Sequence, residues 1–172
     1  PARFKYAEEE GLQVLEMPYK GEKLSMILFL PTSGDLGAFE NASSLEKWAG
    51  WKDRLRTQRV DVFLPRFTFE TKYFMGETLK KMGMPTAFSS AADFSGMDGS
   101  RTLAIQTVIH QAFVDVNEEG TEAAAATGVA VAETSARPPV PVFRADRQFM
   151  FTIQDLEHGN ILFLGRVADP RG

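Results

Sequence analysis

The run Met26-Ile27-Leu28-Phe29-Leu30, entered from Leu24 and stopped by Pro31, constrains the fold more than any other stretch of the chain. Large apolar residues in unbroken succession are expected where a strand is buried on both faces, and a proline, which cannot donate to a ladder, ends such a strand. Upstream, Phe4 to Ala7 and Leu12 to Met17 have strand character, and Glu8-Glu9-Glu10-Gly11 and Lys20-Gly21-Glu22-Lys23 separate the three segments. This spacing predicts an antiparallel meander whose third strand is central. A chain of 172 residues, 44% of them hydrophobic, can bury a core around that strand and reads as one globular domain.

Between Leu36 and Leu55 the apolar positions Leu36, Phe39, Leu45, Trp48, Ala49 and Leu55 recur at spacings near three and four. They predict two short helices broken around residues 41 to 44. Val60 to Phe69 returns to alternation, with a bend at Pro65, and Gly76 to Met84 reads as a helix with Gly83 at its carboxy-terminal end. Residues 85 to 102 are loop-like, anchored by Phe88 and Phe94, and a long strand is expected from Leu103 to Val116 with an irregularity near His110. Val140 to Phe143, Gln148 to Gln154 and Asn160 to Val167 give three more strands, the last two joined by a hairpin at Glu157-His158-Gly159-Asn160. The class is α+β, mainly antiparallel sheets with a few short helices, with no internal repeat and no boundary dividing the chain.

A formal net charge of −4 argues against a nucleic-acid partner, which needs a net basic face. Lys52, Arg54, Arg56 and Arg59 form a local exception beside Asp53; they read as a solvated strand or helix edge, with a sulfated-polysaccharide site as the sharper alternative. There is no cysteine, and no apolar run nears the roughly 18 residues of a membrane span. No membrane partner is therefore expected. The opening Pro1-Ala2-Arg3-Phe4 enters a strand pattern at once and reads as the middle of a longer protein. Two histidines, with no cysteine and no Gly-x-Ser-x-Gly elbow, offer neither a hydrolase nucleophile with its base nor a zinc set, so no metal and no cofactor is expected. His110, alone in an apolar strand, reads as a hydrogen-bonded core residue, and His158 as solvent exposed.

One segment fits an ordinary domain poorly. Glu118-Glu119-Gly120-Thr121-Glu122-Ala123-Ala124-Ala125-Ala126-Thr127-Gly128 follows a strong strand and precedes a polar, proline-containing stretch. Alanine's helix propensity makes a short surface helix one reading. The other is a strand held in reserve. Extended, it would present Thr121, Ala123, Ala125, Thr127, Val129 and Val131 to one face, and Glu122, Ala124, Ala126, Gly128, Ala130 and Ala132 to the other. No bulky side chain would obstruct its entry between neighbouring strands. At about 0.5–1.5 kcal/mol per ladder hydrogen bond and about 1.5–3 kcal/mol per buried valine, insertion would release on the order of 10 kcal/mol, enough to drive a large rearrangement.

Glu118 to Thr127 resembles the hinge of inhibitory serpins, and Phe143-Arg144-Ala145-Asp146-Arg147-Gln148-Phe149-Met150-Phe151-Thr152-Ile153 resembles that family's signature beyond its bait loop. Further matches run along the chain: Leu15-Glu16-Met17-Pro18-Tyr19, Leu64-Pro65-Arg66-Phe67, Asp93-Phe94-Ser95-Gly96, Val108-Ile109-His110-Gln111-Ala112 and Leu162-Phe163-Leu164-Gly165-Arg166-Val167. Gln148 departs from the family's usual Pro, Ser or Thr, which touches local turn geometry and not the bait.

The resemblance implies the carboxy-terminal portion of a single serpin domain. Residues 1–117 would belong to the body, 118–139 to the hinge and reactive-centre loop, and 140–172 to the terminal strands. It implies an inhibitor of serine proteases, not an enzyme: the protease attacks one loop bond, forms an acyl-enzyme, and is trapped as the loop inserts. The family's usual hinge-to-bond distance, counted from Glu118, places that bond between Thr134 and Ser135, within one or two residues. Val131, Ala132 and Thr134 suit an elastase-like or subtilisin-like protease; Arg137 would suit a trypsin-like one, but Pro138 follows it. Glu118 resembles the breach acid, Arg66 its basic partner, and His110 the shutter histidine, whose usual partners lie in the amino-terminal half. The alternatives are a non-inhibitory binding or structural protein of the same fold, or a fragment inactive without that half, self-associating through an unpaired edge. The residues leave the compartment open; the family leans towards extracellular.

Overall fold

The computed structural model describes residues 2–33, 35–117 and 139–170. Strands β1 (Ala2–Glu9), β2 (Leu12–Pro18) and β3 (Leu24–Pro31) are followed by helices α1 (Leu36–Ala42) and α2 (Leu45–Asp53), then by β4 (Arg56–Phe63) and β5 (Phe67–Phe74). Next come α3 (Gly76–Lys81), a 3-10 turn at Thr86–Phe88, α4 (Ser95–Asp98) and β6 (Ile109–Val116). The last strands are β7 (Val142–Arg144), β8 (Phe149–Asp155) and β9 (Ile161–Val167). Among the described residues, seven strands form one sheet in the order β7-β4-β1-β2-β3-β8-β9, and β5 and β6 form a second. The chain divides into two compact units, Pro1–Phe67 with Val116–Gly172, and Thr68–Asp115.

In the first unit the meander is as expected: β1 pairs antiparallel with β2, and β2 with β3. Glu10 and Gly11 both have positive φ, 49° and 80°, which matches a tight hairpin turn to the right-handed strand twist. β3 is central, flanked by β2 and β8, and every residue after Leu24 is buried. One sheet face is covered by the two helices. Leu12, Val14, Ile27, Phe29 and Met150 pack with Leu36 and Leu55, and Phe39, Trp48 and Trp51 close over them. Phe29 lies 4.8 Å from the Trp48 ring and 5.8 Å from Trp51, centroid to centroid. The helices start where the sequence supplies caps: Asp35 Oδ1 accepts from the Ala38 amide at 2.9 Å, and Ser44 Oγ from the Lys47 amide at 3.2 Å.

On the other face Phe67 packs against Phe149 and Phe151, at 5.9 and 5.7 Å. Gly165, opposite Phe151 in the β8–β9 ladder, is required there, because a Cβ would stand 2.4 Å from the Phe151 ring. The hairpin between β8 and β9 closes at Asp155, whose amide donates to the Asn160 carbonyl at 3.0 Å.

Two expectations are corrected. The alternating segment at Val60 to Phe69 is two strands: β4 begins earlier, at Arg56, the chain breaks at Leu64-Pro65-Arg66, and β5 continues to Phe74. Proline removes a ladder donor, and the break follows it. The strand expected from Leu103 begins only at Ile109. Its partner β5 ends where α3 begins, the last link being the Met75 amide to the Val108 carbonyl at 2.8 Å. Among the described residues no strand pairs with residues 103 to 107, and the Ile105 amide bonds the Ala87 carbonyl instead.

In the second unit α3 ends as the sequence predicts. Gly83 has φ 103°, its amide donates to the Lys80 carbonyl and the Met84 amide to that of Leu79, which together form a Schellman closure.

Candidate functional site

Of the residues singled out in the sequence, Glu118, Glu119, Gly120, Thr121, Glu122, Ala123, Ala124, Ala125, Ala126 and Thr127 lie outside the described residues, as do Thr134 and Ser135. The structure describes the segments on either side of them.

The preceding segment is β6. It pairs with β5, and side chains tie the two: Thr68 Oγ1 donates to Asp115 Oδ1 at 2.8 Å, and Gln111 Nε2 donates to Glu70 Oε1. These links run in opposite order along the two strands, as antiparallel pairing requires. Val114 is buried, while Phe113 is 63% exposed and Phe74 70% exposed. His110 is exposed and stacks beside Tyr73, ring centroids 6.4 Å apart at 18°, so the core position expected from its apolar strand is not what this chain provides. Arg66 is also exposed, in the break between β4 and β5.

The following segment is β7, three residues long. It pairs parallel to β4, Asp61 with Val142 and Phe63 with Arg144. The Asp61 amide donates to the Pro141 carbonyl and the Ala145 amide to the Phe63 carbonyl, both at 2.9 Å. Phe143 and Ala145 are buried, and the Arg144 guanidinium sits 3.8 Å from the Phe63 ring centroid. Two further contacts hold this end. Gln13 Nε2 donates to the Val142 carbonyl at 3.2 Å, and Arg147 Nε to the Pro31 carbonyl at 2.9 Å. Arg144 and Arg147 were legible as part of the signature; Gln13, distant in sequence and polar in a strand, carried no signal.

The basic run is dispersed by the fold. Lys52 Nζ donates to Gln154 Oε1 at 3.1 Å, Arg54 pairs with Glu9, and Arg56 Nη1 donates to the Asp53 and Leu55 carbonyls at 2.7 and 2.9 Å. Arg59 stands opposite Arg3 across the β1–β4 pair. His158 is exposed, its Nδ1 2.8 Å from Asp155 Oδ2. Among the described residues no group of three acidic, histidine or cysteine side chains could hold a metal, and no helix is long and apolar enough to cross a membrane.

A seven-stranded sheet capped by two short helices, and a two-stranded ribbon, with few short helices in all, define an α+β class of fold in which the alanine-rich sequence lies between β6 and β7. The family model described as Serpin (serine protease inhibitor) matches residues 1–170, and the chain belongs to the serpin family. It is 44% identical over 174 residues to the leukocyte elastase inhibitor of Bos taurus, covering 97% of this chain and 46% of that protein. A serpin-like protein of Methanosarcina acetivorans is 42% identical over 170 residues, covering 98% and 40%. Among solved structures, thyroxine-binding globulin in complex with thyroxine superposes with a TM-score of 0.81 at 33% identity, covering 98% of this chain and 44% of that one. The chain thus spans less than half the length of these relatives.

Proposed function

We propose that this chain is the carboxy-terminal portion of a single serpin domain, and that the intact protein inhibits serine proteases as a suicide substrate. The observation that carries the reading is the side-chain content of Thr121 to Thr127 between β6 and β7. Every residue there except Glu122 is small, so an extended copy meets no steric obstacle to entering a sheet. The name of the bovine relative, an elastase inhibitor, supports the same function.

In this reading Glu118 and Glu119 begin the hinge, and Gly120 supplies backbone freedom where the chain must change direction. Thr121, Glu122, Ala123, Ala124, Ala125, Ala126 and Thr127 form the segment that inserts. The protease attacks the Thr134–Ser135 bond; its serine acylates, and insertion drags it away before water completes hydrolysis. The inhibitor is consumed and does not turn over. Arg66 holds Glu118 until the sheet opens, and His110 helps keep the sheet shut with partners from the amino-terminal half. The target is an elastase-like or subtilisin-like protease that accepts a small side chain.

Incubating the intact protein with elastase, subtilisin and trypsin tests this directly. A complex that survives denaturing electrophoresis, with a cut after Thr134 by mass spectrometry, is the expected result. Clean cleavage with free, active protease would instead make this a non-inhibitory member, in line with the binding of thyroxine that the name of thyroxine-binding globulin states for that protein.

A further inference from the structure

Ser25 and Gln154 are direct cross-strand partners in the β3–β8 ladder, so their side chains leave the same face of the sheet. That face is the one α2 covers, because Ile27 and Phe29 share it and lie in the helix-capped core. Both residues are sealed from solvent, Ser25 at 0% and Gln154 at 3% exposure. Yet Ser25 Oγ and Gln154 Nε2 have no hydrogen-bond partner, and they do not bond each other.

Lys52, in the last turn of α2, fixes the Gln154 amide: its ammonium donates to Oε1 at 3.1 Å. Flipping the amide would set two donors face to face, so the NH2 group must point away from Lys52. A buried group left unpaired forfeits its hydration with nothing in return, and buried polar groups in folded proteins are almost always satisfied. A further segment of the protein cannot supply the missing partner, because both atoms are already closed off from the surface. The opposing residues also set the span. Directly paired Cβ atoms stand about 4.5–5.5 Å apart, so the two side chains leave neighbouring points of one buried face. The β8–β9 ladder shifts register between Ile153 and Gln154, beside the orphaned amide.

We propose that Ser25 and Gln154 bind one internal water molecule, which accepts from the Gln154 NH2 and donates to Ser25 Oγ. With Lys52 on the other end of the same amide, this forms a relay from β3 through the water and β8 to the end of α2. Lys52 and Gln154 are then positioning residues that register the helix on the sheet.

A high-resolution crystal structure of the intact protein is expected to show an ordered water within hydrogen-bond distance of both Ser25 Oγ and Gln154 Nε2. A direct Ser25–Gln154 hydrogen bond, or no density between the two, overturns the proposal. Thermal melting gives the second readout. Ser25→Ala and Gln154→Met should each lower the melting temperature by several degrees, because each strands the remaining partner. The double variant should lose clearly less than the sum of the two, because neither Ser25 nor Gln154 is left stranded and only the lost Lys52 contact remains. Strictly additive losses in the double variant would overturn the relay.

Discussion

In the seven-stranded sheet every residue of β3 after Leu24 is buried, whereas β6, in the β5–β6 ribbon, buries only Val114 and carries His110, Gln111 and Asp115 among its apolar residues. Both contain large apolar side chains: Ile27, Leu28 and Phe29 in one, Ile109, Phe113 and Val114 in the other. What differs is the cover. β3 has a strand on each side and two helices on one face, all supplied within its own unit. β5 and β6 have each other, and two strands alone are marginal in water. Cover as well as sequence therefore decides burial, and the aromatics Phe74 and Phe113 leave an exposed apolar surface on the ribbon.

The largest expected effect separates the two regions through function. Ala125→Arg places a long charge in the segment proposed to insert and leaves the sheet untouched. Gel and mass analysis of the intact protein with elastase should show the covalent complex lost and the cleaved product in its place. Undiminished trapping would mean that insertion does not depend on this segment.

Stability measurements press the comparison harder. Phe29→Ala removes the ring that Phe39, Trp48 and Trp51 pack around and should cost about 3–5 kcal/mol in urea unfolding. Phe113→Ser in this chain alone should stay within about 0.5 kcal/mol, as for other exposed positions. In the intact protein it should cost far more, if the ribbon is covered there. The same exposure predicts that the chain alone self-associates by light scattering, and that Phe74→Lys with Phe113→Lys returns it towards a monomer. Gly165→Ala comes next, at about 1–3 kcal/mol of overpacking, because the added methyl meets the buried Phe151 ring.

Most of the first unit was legible in the sequence, for reasons that the same comparison explains. Where an element carries its own cover, local pattern and final structure agree: the apolar run ending at Pro31, the two short helices broken around residues 41 to 44, and the turn at Glu10-Gly11 all read correctly. Where pairing depends on a partner's length, pattern overreached. Leu103, Ile105 and Val108 have strand character, but β5 stops at Phe74 and no other described strand pairs with most of that stretch. The basic run agrees with its favoured reading as a solvated helix and strand edge, since Arg54, Arg56 and Arg59 are exposed. Its four cations are neighbours in sequence, but a helix end followed by a strand points them at Gln154, Glu9, backbone carbonyls and the side of Arg3. The reading of residues 118 to 139 as a bait loop rests on resemblance alone, since small residues by themselves leave helix and reserve strand both open.

The smallest predicted effect tests whether the well-covered sheet is equally secure at its ends. Asp155 accepts from the Glu157 amide at 2.9 Å, and its other oxygen meets His158 Nδ1 at 2.8 Å. These bonds, the Glu157 amide first, hold its carboxyl below the usual aspartate value. A depressed folded-state pKa means that the contribution is present above the unfolded value, about 3.9, and is lost as pH falls through the folded one. Acid should therefore loosen the β8–β9 hairpin before it disturbs β3. An NMR titration would show the Gly159 and Glu157 amide resonances moving below the ordinary aspartate range while those of Ile27 and Leu28 stay fixed. Asp155→Asn keeps an acceptor oxygen but removes the titration, so its hairpin resonances should hold still over the same range. If they move as in the parent, another group governs the turn, and the hairpin is as firmly held as the strand it leads from.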